Sequence, residues 1–204
     1  MKRCDHIGIC ADAVYDPASG HIPRGFSGAE GSLDDVLLVV VFAKPGFPLL
    51  GESYSGDVEE NLRCLLSAQF LKSGKNQFHR NITEFLSQVF AKFSKNIEEQ
   101  LTRVWLTERR NCSLTEEIGN IRKVERLRCA SKHLSEQIKL FPNAIVLLAG
   151  NKAKQASALV GNVAKCGVVE CGAFAPTGCN KIEACESHQR AVRLVQEHIH
   201  IKTV

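Results

Sequence analysis

No stretch of this chain is long and apolar enough to cross a bilayer. Its longest hydrophobic run, Val36 to Ala43, is the length of one strand, well short of the roughly 18 apolar residues a membrane helix needs. Lys2 and Arg3 are not followed by an apolar segment, so no secretory signal is read. A cytoplasmic protein, nucleoid-associated if prokaryotic, is the expectation. Internal repeats and low-complexity tracts are missing too. So are the glycine-rich phosphate loop and the dinucleotide fingerprint, which argues against a nucleotide-dependent metabolic enzyme. Nor is the charge one-sided: 26 Lys and Arg against 22 Asp and Glu leave a formal +4. That balance permits nucleic-acid binding without requiring it.

What the chain does have is ordinary for a globular protein, with 44% hydrophobic and 24% charged residues. Its 204 residues suit one domain, residues 1–204, acting as a monomer. Nine cysteines are many. An odd count without a secretory signal argues against a disulfide framework and leaves reduced thiols, metal ligation or both.

Residues 1–35 are punctuated by glycine and by Pro17 and Pro23, and read as irregular. The run that follows, Asp35 to Ala43, reads as a strand buried on both faces. Lys44-Pro45-Gly46 ends it. Helical spacing predicts helices over 57–71 and 81–93, with Asp57 and Asn81 as N-caps. A second strand is expected over Arg103 to Thr107, and a helix over 118–141 that Pro142 stops. A third strand, Ala144 to Ala149, leads into a short helix over 152–159. A fourth strand over 168–174 and a helix over 181–199 close the pattern. Alternating strands and helices predict a three-layer α/β/α sandwich around a mainly parallel four-stranded sheet. Ligands of such folds sit at the carboxyl ends of the strands.

The loops at those ends carry a resemblance. Val104-Trp105-Leu106-Thr107-Glu108-Arg109-Arg110-Asn111-Cys112 is similar to the Val-Tyr-Ile-Thr-Asn-Val-Val-Lys-Cys of the iron–sulfur uracil-DNA glycosylases. After sixteen intervening residues, Cys129-Ala130-Ser131-Lys132-His133-Leu134 stands where that family has Cys-x-x-Tyr-Leu. Pro142 to Ala153 resembles its Pro-x-Val-Ile-Val-Ala-Leu-Gly-x-x-Ala. Ala43-Lys44-Pro45-Gly46 occupies the place of its Glu-Ala-Pro-Gly, Pro48-Leu49-Leu50-Gly51 that of Pro-Phe-Val-Gly, and Phe174-Ala175-Pro176-Thr177 that of His-Pro-Ser. The likeness keeps the order of these segments over roughly residues 36–195.

The resemblance implies a DNA-repair glycosylase that hydrolyses the N-glycosidic bond of uracil or another deaminated base in DNA. It also shows where this chain departs. The acid or amide that positions water becomes Ala43 or Lys44. The histidine that stabilises the departing base becomes Ala175, the base-reading asparagine Glu108, and the stacking aromatic Leu49. An alternative class is therefore a DNA-binding or damage-sensing protein that has kept the scaffold and lost catalysis.

Lys44 has three readings: a solvated lysine, a phosphate or base contact, or an amine nucleophile. Glu108 is a capping acid, a base reader or a general base. Tyr54 is structural or stacks on the flipped base in place of Leu49; Glu52 and Asp57 are displaced carboxylates to weigh beside it. Lys44 and Glu108 are the expected catalytic pair. Ala43, Pro45, Leu49, Tyr54 and Ala175 are expected to line the base pocket. Arg109, Arg110, Lys152, Thr177, Asn180 and Lys181 are expected to contact DNA. By the same resemblance Cys4, Cys10, Cys112 and Cys129 hold a 4Fe-4S cluster, thiolates being apt ligands for iron. Five residues separate Cys4 from Cys10 where the family usually has two. Cys166, Cys171, Cys179 and Cys185 lack zinc-site spacing.

Overall fold

The computed structural model describes residues 4–10, 12–24, 26–48, 51–54, 57–66, 69–72, 74–115 and 123–203. In chain order the elements are β1 (Ser27–Gly28), β2 (Leu38–Phe42), α1 (Val58–Leu66), α2 (Gln69–Lys72), α3 (Gln77–Val89), α4 (Ile97–Thr102) and β3 (Val104–Glu108). Then come α5 (Lys123–Cys129), a π turn (Ala130–Leu134), α6 (Ser135–Lys139), β4 (Ile145–Ala149), α7 (Asn151–Lys154), α8 (Ser157–Gly161), β5 (Val168–Cys171), α9 (Pro176–Cys179) and α10 (Ile182–Thr203).

The strands form one sheet in the order β1-β3-β2-β4-β5. β2 lies between β3 and β4 and is parallel to both, with Leu38 level with Val104 and with Ile145. β5 continues the parallel set beside β4. All five residues of β2 are buried, as a strand covered on both faces requires. Leu38, Val40 and Phe42 join one core, shared with Ile82, Phe85 and Leu86 of α3 and Val195 and Ile199 of α10. Val39 and Val41 point the other way, into a core with Leu134, Ile138, Ala153 and Val160. Helices therefore cover both faces, and the architecture is the expected three-layer sandwich.

It differs from expectation at its edges. A fifth strand, β1, pairs antiparallel with β3. It is a Ser-Gly dipeptide inside the segment read as irregular. α3 begins four residues before the expected Asn81: Asn76 is its N-cap, accepting from the His79 amide. Asn81 instead donates its side-chain amide to Phe174 O at 2.9 Å. α4 has no counterpart in the expected elements; Asn96 caps it through the Glu98 amide. Asp57 does cap α1, accepting from the Glu60 amide at 2.9 Å.

The sheet ends are shaped by two glycines. Gly150 (φ +86°) turns the chain from β4 into α7 where Ala173 leaves a Cβ no easy room, at 3.0 Å. Gly28 (φ +94°) lies so close to β3 that a Cβ there would sit 2.1 Å from Val104 O. Gly28→Ala adds both a disfavoured φ and a backbone clash, so it should cost at least roughly 2 kcal/mol. The measurement is the urea midpoint against wild type; an unchanged midpoint would show that β1 does not hold this close pairing.

Candidate active site and cysteine cavity

The strand order reverses at β2. The chain leaves it for β3 on one side and later returns to β4 on the other, and sheets of this kind take their ligands at the carboxyl ends of the strands near such a reversal. Phe42 and Glu108 are the last paired residues of β2 and β3, and the Arg109 amide donates to Phe42 O at 2.8 Å. That register sets Glu108 beside the segment carrying half-buried Lys44. Glu108 is 6% exposed, and its Oε2 is buried with no hydrogen-bond partner among the described residues. Burial pushes its carboxyl well above the ordinary glutamate range, while the charges of Lys44 and Arg24 pull the other way.

Arg24 was not among the residues expected from sequence. It comes from the N-terminal segment and is 8% exposed. Its Nη1 donates to Glu52 Oε1 in a buried ion pair, and its Nη2 donates to Gly46 O at 2.7 Å. Tyr54 donates its hydroxyl to the same Glu52 oxygen at 2.6 Å, and its amide to Pro17 O. Burial and the Glu52 carboxylate raise the Tyr54 pKa. The ring is thus fixed by its hydroxyl in an Arg24–Glu52–Tyr54 network around the loop after β2. Ala43 is half-buried and Pro45 buried in the same loop; Leu49 lies outside the described residues.

The remaining expected positions separate into exposed and buried sets. Lys152, Ala175, Asn180 and Lys181 are exposed. Ala175 precedes α9, in which Thr177 lies, and Asn180 accepts from Gln77 Nε2 at 3.0 Å. The ring of Phe174 lies 6.2 Å from that of Phe42, so the loop after β5 begins near the loop after β2. His188 stacks on Phe174 at 4.2 Å, and its Nε2 lies 3.0 Å from Gly172 O.

Arg109 and Arg110 require a correction. They are 3% and 1% exposed. Arg109 donates to Gln155 Oε1 at 3.0 Å, and Arg110 forms a buried ion pair with Glu125 at 4.0 Å. A phosphate contact needs the guanidinium at the surface, and neither is there. Both guanidinium groups lie in the interior, one against Gln155 just past α7 and the other against Glu125 of α5.

Behind Arg110 the four expected cysteines meet. Cys4, Cys10, Cys112 and Cys129 line one small cavity of about 20 Å³, with His6, His133, Arg110 and Arg128. The N-terminal segment reaches it by running along the chain after β3: Val14 donates to Ser113 O, Thr115 to Asp12 O, and Arg24 to Asn111 O. The longer Cys4–Cys10 spacing is taken up by a turn in which His6 O accepts from both Ile9 and Cys10. Cys129 immediately precedes the π turn, and His133 within it has Nε2 3.6 Å from the Cys4 sulfur. Burial and the neighbouring thiols push Cys112 up to about 12; burial likewise raises Cys129. All the described cysteines are free thiols. The soft donor set suits an iron–sulfur group. Among the described residues, however, no group of three or more His, Cys, Asp or Glu side chains could hold a metal ion as placed. Nor is any helix among them long and apolar enough to cross a membrane.

No family model matches the chain, and no curated protein matches it significantly. Among solved structures, the chain is similar to the solution NMR structure of a Methanosarcina acetivorans protein described as a putative uracil DNA glycosylase. The two share 12% identity over 87% of this chain and 99% of that one, with a TM-score of 0.48. A likeness of this degree establishes neither family nor activity.

The buried Glu108 carboxyl has a consequence for stability. The folded protein holds its proton at pH values where the unfolded chain has released it. The contribution is fully present below the ordinary glutamate range and is lost as pH rises through the raised folded value. Melting temperatures from pH 4 upward should therefore fall less steeply for Glu108→Gln than for wild type. Parallel curves would place an ionised, solvated Glu108 at this edge instead.

Proposed function

We propose that this protein acts on DNA as a glycosylase of altered chemistry, removing uracil or another deaminated base by hydrolysis of the N-glycosidic bond. One observation carries the reading: a buried carboxyl, Glu108, beside half-buried Lys44, at the carboxyl end of the sheet, where α/β folds of this kind take their ligands. The motif order set out from the sequence supports the same substrate class. In such chemistry the nucleotide is flipped from the stack, its base edge is held, and the cationic sugar is stabilised electrostatically. Lys44 and Glu108 stand at the reaction centre. Exposed Lys152, in α7 after β4, and exposed Asn180 and Lys181, between α9 and α10, supply backbone contacts.

The alternative reading, a damage sensor without catalysis, is favoured by one feature: Ala43 or Lys44 and Ala175 stand where the resemblance would put a water-positioning acid and a histidine. One experiment separates the two. Oligonucleotides carrying uracil, hypoxanthine or xanthine are incubated with the protein and then treated with alkali. Strand cleavage, reduced about a hundredfold or more in Lys44→Met, is the expected result. Salt-sensitive binding with no cleavage would establish the sensor; no binding to any strand would sink both. Borohydride trapping tests whether Lys44 forms a Schiff base.

We propose in addition that Cys4, Cys10, Cys112 and Cys129 hold a 4Fe-4S cluster. Their convergence on one cavity beside Arg110 and Arg128 supports this, since cationic neighbours offset thiolate charge. Anaerobically purified protein is expected to be brown, with absorbance near roughly 400 nm, and Cys112→Ser to lose iron. Colourless, iron-free wild type would remove the cluster and leave four structural thiols.

A further inference from the structure

Glu108 combines three properties that together restrict what it can recognise. It is 6% exposed; its Oε2 is buried and accepts no hydrogen bond from the described residues; and it ends a central strand beside Lys44. The charged groups that face it are Lys44, from the segment after β2, and Arg24, from the N-terminal segment. Arg24 is already paired with Glu52.

A carboxylate and a carboxylic acid present different edges. The ionised group only accepts hydrogen bonds; the neutral one offers one O–H donor and keeps acceptor capacity. An ionised oxygen buried without a partner is strongly disfavoured, and in practice such a group takes up a proton. Burial acts on Glu108 in that direction and outweighs the two cations.

Building on the base-excision reading above, we propose that Glu108 works as a neutral carboxylic acid whose O–H donates to a carbonyl oxygen on the ring of the bound base. The substrate class follows. A carboxylate would favour cationic, alkylated rings. A neutral acid flanked by Lys44 and Arg24 disfavours them and favours neutral rings bearing a keto oxygen, the chemistry that deamination creates. The same donor gains strength as the glycosidic bond breaks, because the bond's electron pair moves onto the base and its oxygen becomes more negative. Glu108 keeps its proton throughout; the step is a hydrogen bond.

The test has two readouts that do not depend on turnover. The first is the infrared difference spectrum between wild type and Glu108→Gln at pH 7. A carbonyl stretch of a neutral acid, shifting when a uracil-containing oligonucleotide binds, is expected; a carboxylate band in its place overturns the proposal. The second is the affinity for otherwise identical strands carrying uracil, 7-methylguanine or no modification, the target nucleotide built on a 2′-fluoro sugar that resists hydrolysis. Wild type and Glu108→Gln, whose amide also donates, should prefer uracil by about tenfold, the worth of one well-made hydrogen bond. Glu108→Leu, which fills the space without a donor, should lose that preference. Preference for 7-methylguanine, or loss of preference in Glu108→Gln with its fold intact, overturns the proposal. Equal binding of all strands overturns it while leaving DNA binding standing. Binding of none overturns the base-excision reading with it.

Discussion

The parallel register of β2 against β3 is the constraint on which the rest depends. Because Phe42 is level with Glu108, both strands end together, and the segments that follow them begin side by side. Side chains alternate along β2, so its apolar residues divide between two cores and need helices on both faces. A slip of one residue would exchange those faces. It would also carry Glu108 away from Lys44.

The N-terminal segment exploits that fixed edge twice. It pairs with residues 111 to 115 through Val14, Thr115 and Arg24, and in doing so brings Cys4 and Cys10 to Cys112. Further along, the same segment delivers Arg24 to Glu52 and to Gly46 O. A buried arginine and carboxylate are tolerated only as a bonded pair, so the segment and the loop after β2 hold each other in place. Tyr54 extends the link through its hydroxyl to Glu52 and its amide to Pro17 O.

The layers of the fold were legible because a β-branched run such as Val39-Val40-Val41 has few other uses than a doubly covered strand. The element edges were less so. α3 starts at Asn76 rather than Asn81 because the cap is a local choice among several asparagines, and only the contact of Asn81 with Phe174 O shows which one packs inward. β1 is two residues long and gives no period to read. At the site, Lys44 and Glu108 could be found by their position after strands. Arg24 could not, since its partners lie 22 and 28 residues away along the chain. Arg109 and Arg110 misled for the converse reason: sequence reports their charge, but the packing of the turn after α7, with Gln155, and of α5, with Glu125, decides their burial.

One peptide ties the candidate site to the cysteine cavity. Asn111 lies between Arg110 and Cys112. Its carbonyl accepts from the Arg24 amide, and its amide reaches the Cys129 sulfur. Arg24 in turn bears on Glu108 by its charge. The stretch from Glu108 to Cys112 is therefore anchored at both ends, by strand pairing at one and by the cysteine cavity at the other. The cavity buries Cys112 and so draws the chain just past the candidate active site into the interior. A carboxyl kept buried against its solvation needs such an anchor, because a loosened loop would let water reach Glu108 and remove the environment that sets its protonation. The cysteine cavity thus bears on the candidate site through the chain that joins them, Glu108 to Cys112 at the carboxyl edge of β3.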